Sequence, residues 1–422
     1  MDRKNRRSAL RQGWDATMDY LLGFLRWIAV GLALGVLGGL VGTAFCKAIA
    51  AVTAFRAAHS AIVWLLPLGG VLIVWLYSLG GTRPTDTNGV LLALHSNSRI
   101  TPSTGPLIFV STMITHALGG SAGREGAALQ LGGVLGSSLG KLLRLNEEDT
   151  RLIIMCGMSA VFAALFGAPL TAALFAIEVA SVGIFHFSAI LPCLTSALTA
   201  VHLAGMMGVH ADRFPLETAF AFSLHNIFSV AGISVACAVV SIFYCVALRQ
   251  GGTWWGKKLP NPYLRAAAGG LCVAVLTAVL GTAYNGAGMD VIERAMEGDA
   301  LPWAFALKFL FTVVTMTSGY KGGEIVPAMF IGATLGAVLG NLFSLAPGLG
   351  AAVGLLSMFC ASLNCPVSSV FLGLEMFGGS NIRFFAIAAA ISFMLSANYG
   401  LYKEQKIVNS KIRPEVIDRY TD

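Results

Sequence analysis

The chain has 422 residues, of which 56% are hydrophobic and 12% are charged, with 49 glycines and a formal net charge of +7. A soluble globular protein carries about twice that charged fraction, so the composition excludes that class. The apolar segments are long and do not alternate, which excludes a membrane β-barrel and predicts an all-α polytopic membrane protein.

The chain begins with a basic segment, MDRKNRRSALRQG, and a long apolar stretch without a cleavage site follows it. Because basic residues favour the cytoplasmic side of a membrane, this pattern predicts an uncleaved cytoplasmic tail over residues 1–20. Residues 403–422 are also basic and are predicted to form a short cytoplasmic tail. The positive charge therefore indicates a multi-pass protein of the inner (plasma) membrane with both termini cytoplasmic, rather than a partner for nucleic acid.

Between the tails, the apolar runs are long enough to cross a bilayer, which takes roughly 20 residues. Clear examples cover residues 27–45, 62–79 and 187–209. No long polar linker interrupts them, so residues 21–402 are predicted to form one membrane domain with repeat halves at about 25–210 and 220–402. The eight cysteines include no CxxC pair, so we expect no metal site, no disulfide framework and no cofactor.

The two halves repeat the same landmarks in the same order. GREG carries Glu125 ahead of LGGVLG in the first half, and KGGEIVP carries Glu324 ahead of FIGATLGAVLG in the second. Later in each half a proline precedes a glutamate by nine residues. These pairs are Pro169 with Glu178 and Pro366 with Glu375. Such duplication is typical of transporters, whose substrate sites lie between the repeats near the middle of the bilayer.

Glycine and proline interrupt the apolar runs at four places, which predicts broken helices. The breaks fall at residues 119–126, 166–169, 319–327 and 363–366. In hydrocarbon, broken backbone is tolerated only where it is buried in protein or lines a cavity. We therefore expect the breaks to lie at the functional centre.

The first and third breaks place Glu125 and Glu324 at helix starts, where free N–H groups and a partial positive charge favour an anion. We predict a small-anion site where the two starts converge. Its candidate contacts at these turns are Gly123, Arg124, Gly126, Ile325 and Val326. Glu125 can take the place of the anion when ionised and leave it when protonated. The Arg124 side chain is expected to be structural or to set the local field rather than to bind the anion directly.

Four other polar residues in apolar surroundings are predicted to be structural. Glu178 and Glu375 end apolar helices at expected membrane boundaries. Lys308 is expected to snorkel or to pair with another group, and His116 is expected to pack between helices rather than to relay protons.

The ordered set of GREG, QLGG, FGAPLTAALFAIEV and GGEIVP resembles the CLC anion channels and transporters over about residues 25–405. The resemblance implies an inverted-repeat helical bundle that forms a homodimer in the lipid membrane, with one pore in each subunit. It also implies that Glu125 is the external gating glutamate, which exchanges with the anion and carries protons. Tyr402, in NYGLY, falls at the tyrosine whose hydroxyl contacts the central anion.

Three departures from the chloride pattern resemble the fluoride–proton antiporter branch of the same family. The serine-bearing GSGIP-type turn is missing ahead of GREG, and Val179 stands where chloride–proton exchangers have an inner glutamate. The second-repeat turn has Glu324 in place of a GIFAP-like sequence, which makes Glu324 a candidate proton-linked group. In that branch methionine or asparagine replaces the serine, so Asn88 is the candidate anion contact and Thr87 is the runner-up.

The resemblance therefore predicts export of fluoride by antiport with protons. Fluoride is a small and strong hydrogen-bond acceptor, so amide, phenol and backbone N–H donors suit it. The alternative within the family is a chloride/proton antiporter or a chloride channel. An intramembrane enzyme is disfavoured, because the chain has no HExxH, GxSxG or Walker-type motif.

Overall fold

A computed structural model describes residues 3–79, 86–96, 98, 100–216 and 218–422, with side chains from residue 17 onward. Residues 80–85, in the stretch where the GSGIP-type turn is missing, lie outside the described residues, as do the side chains of the basic N-terminal segment. The described residues form sixteen α-helices and one small sheet of three strands.

The helices fall into two sets of eight. The first set is α1 (Arg3–Ala58), α2 (Leu66–Leu79), α3 (Thr87–His95), α4 (Thr104–Ala117), α5 (Glu125–Leu142), α6 (Glu147–Phe166), α7 (Pro169–Glu178) and α8 (Ile190–Met206). The second set is α9 (Leu224–Lys258), α10 (Pro262–Leu280), α11 (Met289–Met296), α12 (Ala304–Ser318), α13 (Ile325–Leu342), α14 (Leu349–Leu363), α15 (Pro366–Phe377) and α16 (Ile382–Leu395).

Within the described ranges, seven helical segments are long and apolar enough to cross a membrane. They include all three runs predicted from the sequence, although the last of these ends at Met206 rather than at residue 209. Shorter apolar helices of 10–17 residues lie between them or follow the last of them. The prediction of a polytopic helical membrane protein is confirmed.

The four predicted breaks separate α4 from α5, α6 from α7, α12 from α13 and α14 from α15. Two of them are built alike, because α6 and α14 each end in a left-handed residue and a proline then starts the next helix. The left-handed residues are Gly167, with φ of +66°, and Asn364, with φ of +58°. Proline suits the first helical turn, where its missing N–H costs no hydrogen bond.

Glycines let α5 and α6 cross at close range, and α13 and α14 cross in the same way. A Cβ atom on Gly132 would collide with the Gly157 carbonyl, and one on Gly332 would collide with the Gly354 carbonyl. Small residues at helix crossings allow close backbone packing, which stabilises helix pairs in membranes. The duplicated glycines therefore pack α5 against α6 and α13 against α14. The helices α5 and α13 start at the first and third breaks, which we call the central turns.

The structure corrects the register of the repeat by one residue. Gly123 and Gly323 form an antiparallel bridge, and α5 begins at Glu125 whereas α13 begins at Ile325. The counterpart of Glu125 is therefore Ile325, and Glu324 occupies the place of Arg124. The glycine-rich turns match in either register as sequences, and the backbone bridge selects one of them.

The C-terminal segment, predicted as a tail, folds back onto the helices. It forms β2 (Lys406–Asn409) and β3 (Val416–Tyr420), and β2 also pairs with β1 (Ser181–Val182), which follows α7. The β1–β2 pair is parallel and the β2–β3 pair is antiparallel. Residues from both halves of the chain thus meet in one sheet.

Candidate functional site

The two central turns are bonded to each other through their backbones. The Gly123 amide donates to the Gly323 carbonyl at 2.7 Å, and the Gly323 amide donates to the Gly123 carbonyl at 2.8 Å. A Cβ atom on Gly323 would lie 2.6 Å from the Gly126 nitrogen, so this contact requires glycine. The bridge brings the N-termini of α5 and α13 side by side.

Glu125 is fully buried and crosses from one repeat to the other. Its Oε2 accepts hydrogen bonds from the amides of Arg124, at 3.0 Å, and Val326, at 3.3 Å. Val326 lies in the first turn of α13, so the carboxylate sits where a helix N-terminus would hold an anion. Among the described residues, Oε1 of Glu125 has no hydrogen-bond partner.

The Arg124 side chain points away from this contact and is paired. Its guanidinium donates to Asp212 at 2.7 Å and to the Leu165 carbonyl at 3.4 Å. It also borders a cavity of about 690 Å³ together with Arg56 and His116. The guanidinium is therefore held by Asp212 and the Leu165 carbonyl, whereas the backbone amide of Arg124 donates to Glu125.

A smaller cavity of about 180 Å³ lies beside the turns and is lined by polar groups from both repeats. It brings Asn88, Glu324 and Tyr402 together, three residues that are far apart in the sequence. The remaining lining residues are Tyr77, Asp86, Thr87, Ile108, Gln130, Met316, Tyr320, Lys321, Gly322 and Leu401.

Thr87 joins this cavity to the turn of the first repeat. It is buried at the first position of α3, which Asp86 caps by accepting a hydrogen bond from the Gly89 amide. The Thr87 hydroxyl donates to the Gly126 carbonyl at 3.4 Å and accepts from Gln130 at 3.1 Å. Thr87, the second candidate from the sequence, thus contacts Gly126 of the predicted site directly.

Asn88 is half-buried at the edge of the same cavity. Its side-chain amide donates to Asp86 at 3.3 Å, and its side-chain oxygen accepts from the Glu404 amide at 3.4 Å. Asn88 is therefore bonded to residues at the edge of the cavity, and neither of these two long hydrogen bonds reaches the turn that carries Glu125.

Glu324 and Tyr402 face the cavity from the second repeat. A Cβ atom on Gly126 would lie 3.5 Å from Oε2 of Glu324, which places this carboxylate against the start of α5. Tyr402 is 2% exposed, and its hydroxyl has no hydrogen-bond partner among the described residues. Lys321, three residues before Glu324, lies with its ammonium 4.9 Å from the centre of the Tyr77 ring.

Comparison with known proteins identifies the family of this arrangement. The sequence model described as "voltage gated chloride channel" matches residues 69–397, well over half of the chain. The chain belongs to the CLC family. Members of this family are channels and transporters, which supports membrane transport as the role of this chain, and its fold is the CLC repeat with broken helices.

Several relatives are similar over most of this CLC chain. A "chloride/fluoride channel protein" of Pseudomonas syringae pv. tomato is 31% identical, covering 93% of this chain and 89% of the relative. The solved structure of "a CLC-type fluoride/proton antiporter" is 33% identical, with a TM-score of 0.88 and coverage of 91% of this chain and 98% of that one. An "H(+)/Cl(-) exchange transporter ClcA" of Salmonella typhimurium is 27% identical, covering 81% of this chain and 79% of the relative.

The predicted site residues of this CLC chain form two neighbouring groups. Glu125 and the backbone of the turn residues form the closed contact between the two helix starts. Asn88, Glu324 and Tyr402 line the adjoining cavity, and Gly126 touches both groups. Sequence reasoning missed Gln130 and Lys321. The signal for Gln130 was a polar residue in an otherwise apolar helix, and the signal for Lys321 was a cation within the glycine-framed turn.

Glu178 and Glu375 of the CLC chain have matching structural contacts. Glu178 accepts from the amides of Val367 and Ser368, at 3.0 and 2.8 Å, at the start of α15. Glu375 accepts from the amides of Leu170 and Thr171, at 2.9 and 2.8 Å, at the start of α7. Each carboxylate therefore caps the short helix of the other repeat.

His116 and Lys308 are both buried and bonded to backbone carbonyls. His116 donates from Nε2 to the Gly123 carbonyl at 3.1 Å, which agrees with a packing role. Lys308 is fully buried and donates to the carbonyls of Tyr284 and Gly286, at 3.1 and 2.6 Å. The prediction that Lys308 pairs with another group is therefore confirmed. The alternative that it snorkels is wrong, because its ammonium is buried inside the helical bundle.

Proposed function

We propose that this CLC-family protein exports fluoride in exchange for protons. Glu125 acts as the protonatable gate that alternates with the anion at the N-terminus of α13. The backbone amides of Arg124 and Val326 hold that position, with Gly126 and Ile325 beside them, whereas the amide of Gly123, also a predicted contact, is used in the bridge to Gly323. In this proposal the protein is a homodimer in the lipid of the plasma membrane, with one pore in each subunit and both termini in the cytoplasm.

The contact between Glu125 and the Val326 amide is the observation that supports this mechanism best. A buried carboxylate on the N-terminal amides of another helix competes with an anion for the same donors. Protonation removes the negative charge and weakens both hydrogen bonds, because charge-assisted bonds are the stronger kind. The gate then leaves, and an anion takes its place.

The cavity supplies the second stage of the proposed path. Asn88 and Tyr402 offer amide and phenol donors to the anion, and such compact donors suit fluoride. Thr87, whose hydroxyl donates to the Gly126 carbonyl, joins this cavity to the turn. Glu324 exchanges protons there, in a chain that has Val179 instead of an inner glutamate. The similarity to a relative named for chloride and fluoride, and to a fluoride/proton antiporter structure, supports the choice of fluoride.

A chloride/proton antiporter, or a chloride channel, is the second candidate. The 27% identity to a chloride–proton exchanger over 81% of the chain favours it. The glutamate in the second-repeat turn and the valine at position 179 favour fluoride instead.

The test is transport by the purified protein in liposomes loaded with fluoride or with chloride. Anion efflux and proton uptake are recorded together for the natural protein, Glu125→Gln, Glu324→Gln and the exposed control Glu293→Gln on α11. We expect fluoride efflux coupled to proton uptake, little chloride flux, and unchanged transport in the control. Proton uptake should fall by about 100-fold in each of the two site variants, which is the usual contribution of a positioned proton-transfer group.

Other results have definite meanings. Rapid chloride efflux from the natural protein contradicts the choice of fluoride, and fluoride efflux without proton movement contradicts antiport. Coupled transport that survives in Glu125→Gln contradicts the assignment of Glu125 as the gate.

A further inference from the structure

The backbone around Tyr402 is held by hydrogen bonds, two of which come from the C-terminal segment, residues 403–422. The Leu401 amide donates to the Ser362 carbonyl at 2.8 Å. The Tyr402 carbonyl accepts from the Gln405 amide at 3.0 Å and from the Thr421 hydroxyl at 2.6 Å. The backbone at Tyr402 is thus held by the beginning and by the end of the segment.

Gln405 is the central contact of this segment, and its side chain is fully buried. Its Nε2 donates to the carbonyls of Val179, at 3.1 Å, and Leu363, at 2.6 Å. Its Oε1 accepts from the Asn364 side chain at 2.9 Å. Both amide hydrogens and the oxygen are used, and they join the ends of α7 and α14, which belong to different repeats.

A second anchor lies further along the segment. Lys411 donates to the side chains of Asn364 and Ser396, the latter at 2.8 Å, and its ammonium lies 4.6 Å from the centre of the Phe393 ring. Asn364 also donates to the Tyr399 carbonyl at 3.1 Å. The network therefore reaches the end of α16 just ahead of Tyr402.

These bonds contrast with the side chain they surround. The Tyr402 hydroxyl points into the cavity without a hydrogen-bond partner among the described residues. Its position is therefore set by the packing of the buried ring in the helical core and by the backbone that carries it, which is held by Gln405 and Thr421.

We infer that Gln405, supported by Thr421, is a positioning residue for transport: through the folded-back C-terminal segment it holds the Tyr402 phenol at the anion cavity. This inference rests on the proposed function in taking Tyr402 as an anion contact. The segment is then part of the transport machinery rather than a passive tail.

The test uses the full-length protein with 3-fluorotyrosine placed at position 402, in detergent for ¹⁹F NMR and in liposomes for flux. Gln405→Met keeps the length of the side chain and removes its hydrogen bonds, and Thr421→Val removes one bond to the Tyr402 carbonyl. Gln250→Met makes the first substitution at an exposed glutamine on α9 and is the matched control.

We expect the ¹⁹F signal of residue 402 to shift or broaden in Gln405→Met and Thr421→Val but not in the control. The half-saturating anion concentration should rise by roughly threefold, the effect of losing about one ordinary hydrogen bond at the site. A change confined to the maximal rate, with the ¹⁹F signal unmoved, contradicts positioning.

Thr421→Val keeps the inference testable if Gln405→Met does not fold, because Thr421 makes its bond at the edge of the segment. An unchanged signal and unchanged half-saturation in a folded Thr421→Val or Gln405→Met protein overturn the inference. The proposed function fails separately, when the natural protein shows no coupled fluoride transport. A shifted signal in that case leaves the positioning role intact.

Discussion

Thr87 and Asn88 are neighbours in sequence but have different partners in the structure. Thr87 is buried and bonded to the Gly126 carbonyl and Gln130, whereas the amide of Asn88 is engaged by Asp86 and by the backbone of Glu404. Sequence comparison ranked Asn88 first because of its residue type. The hydrogen bonds favour Thr87 as the residue that links the cavity to the turn.

We therefore expect Thr87→Val to raise the half-saturating anion concentration by about tenfold. The substitution removes the hydrogen bond to the Gly126 carbonyl and leaves the buried side-chain amide of Gln130 without its acceptor. Asn88→Leu should have a smaller effect. Anion concentration dependence of the flux in liposomes measures both. A larger effect of Asn88→Leu would return the contact to Asn88.

Among the helices, α7 and α15 are the clearest products of duplication. Each is short, starts at a proline and has its first amides capped by a glutamate of the other. A carboxylate near a helix N-terminus is stabilising, and its bonds to backbone N–H groups are of the strong, charge-assisted kind. The two caps therefore bind the repeats to each other.

Glu178→Gln and Glu375→Gln should each lower the free energy of unfolding by about 1–3 kcal/mol, because the negative charge of the cap is lost. Equivalent positions should give similar losses, and Glu297→Gln, an exposed position after α11, should give none. Thermal unfolding in detergent measures these differences. A loss in one variant alone would show that the two caps are not equivalent.

At the scale of the whole molecule, the C-terminal segment joins both repeats and partly buries the ammonium of Lys411, which lies between β2 and β3. Burial lowers the pKa of Lys411 from its usual value to about 8, in a site that also faces the thiols of Cys245, Cys360 and Cys365. The unfolded chain therefore binds more protons than the folded chain between pH 8 and about 10.5, and stability rises with pH in that window.

The stability of the natural protein relative to Lys411→Met should accordingly increase between pH 7.5 and pH 9.5. Comparing thermal unfolding of the two proteins at both values cancels the titration of the other groups. Lys403→Met, at an exposed position of the same segment, is the matched control. A relative stability that is constant or falls over this range would contradict the burial of a charged Lys411.

Much of this protein was determined by the sequence alone. Apolar runs interrupted by glycine and proline predicted a helical membrane protein, three of the seven long apolar segments in the described part of the chain and all four breaks, because hydrocarbon accepts only continuous helices outside protein-lined regions. The order of GREG, QLGG and GGEIVP identified the family, and the helix starts located Glu125. Each run, break and motif is local, so neighbouring residues reveal it, and only the order of the motifs needs the whole chain.

The tertiary structure decided which groups meet. It paired Gly123 with Gly323, so that Glu324 corresponds to Arg124 in the repeat rather than to Glu125. It also placed the Glu125 carboxylate on the Val326 amide and folded the C-terminal segment back onto the Tyr402 carbonyl. The physical reason is that these are single hydrogen bonds between distant segments, such as the one joining Glu178 to Ser368 across 190 residues. A bond of this kind leaves no periodicity or composition in the sequence, and it exists only once the helices have packed.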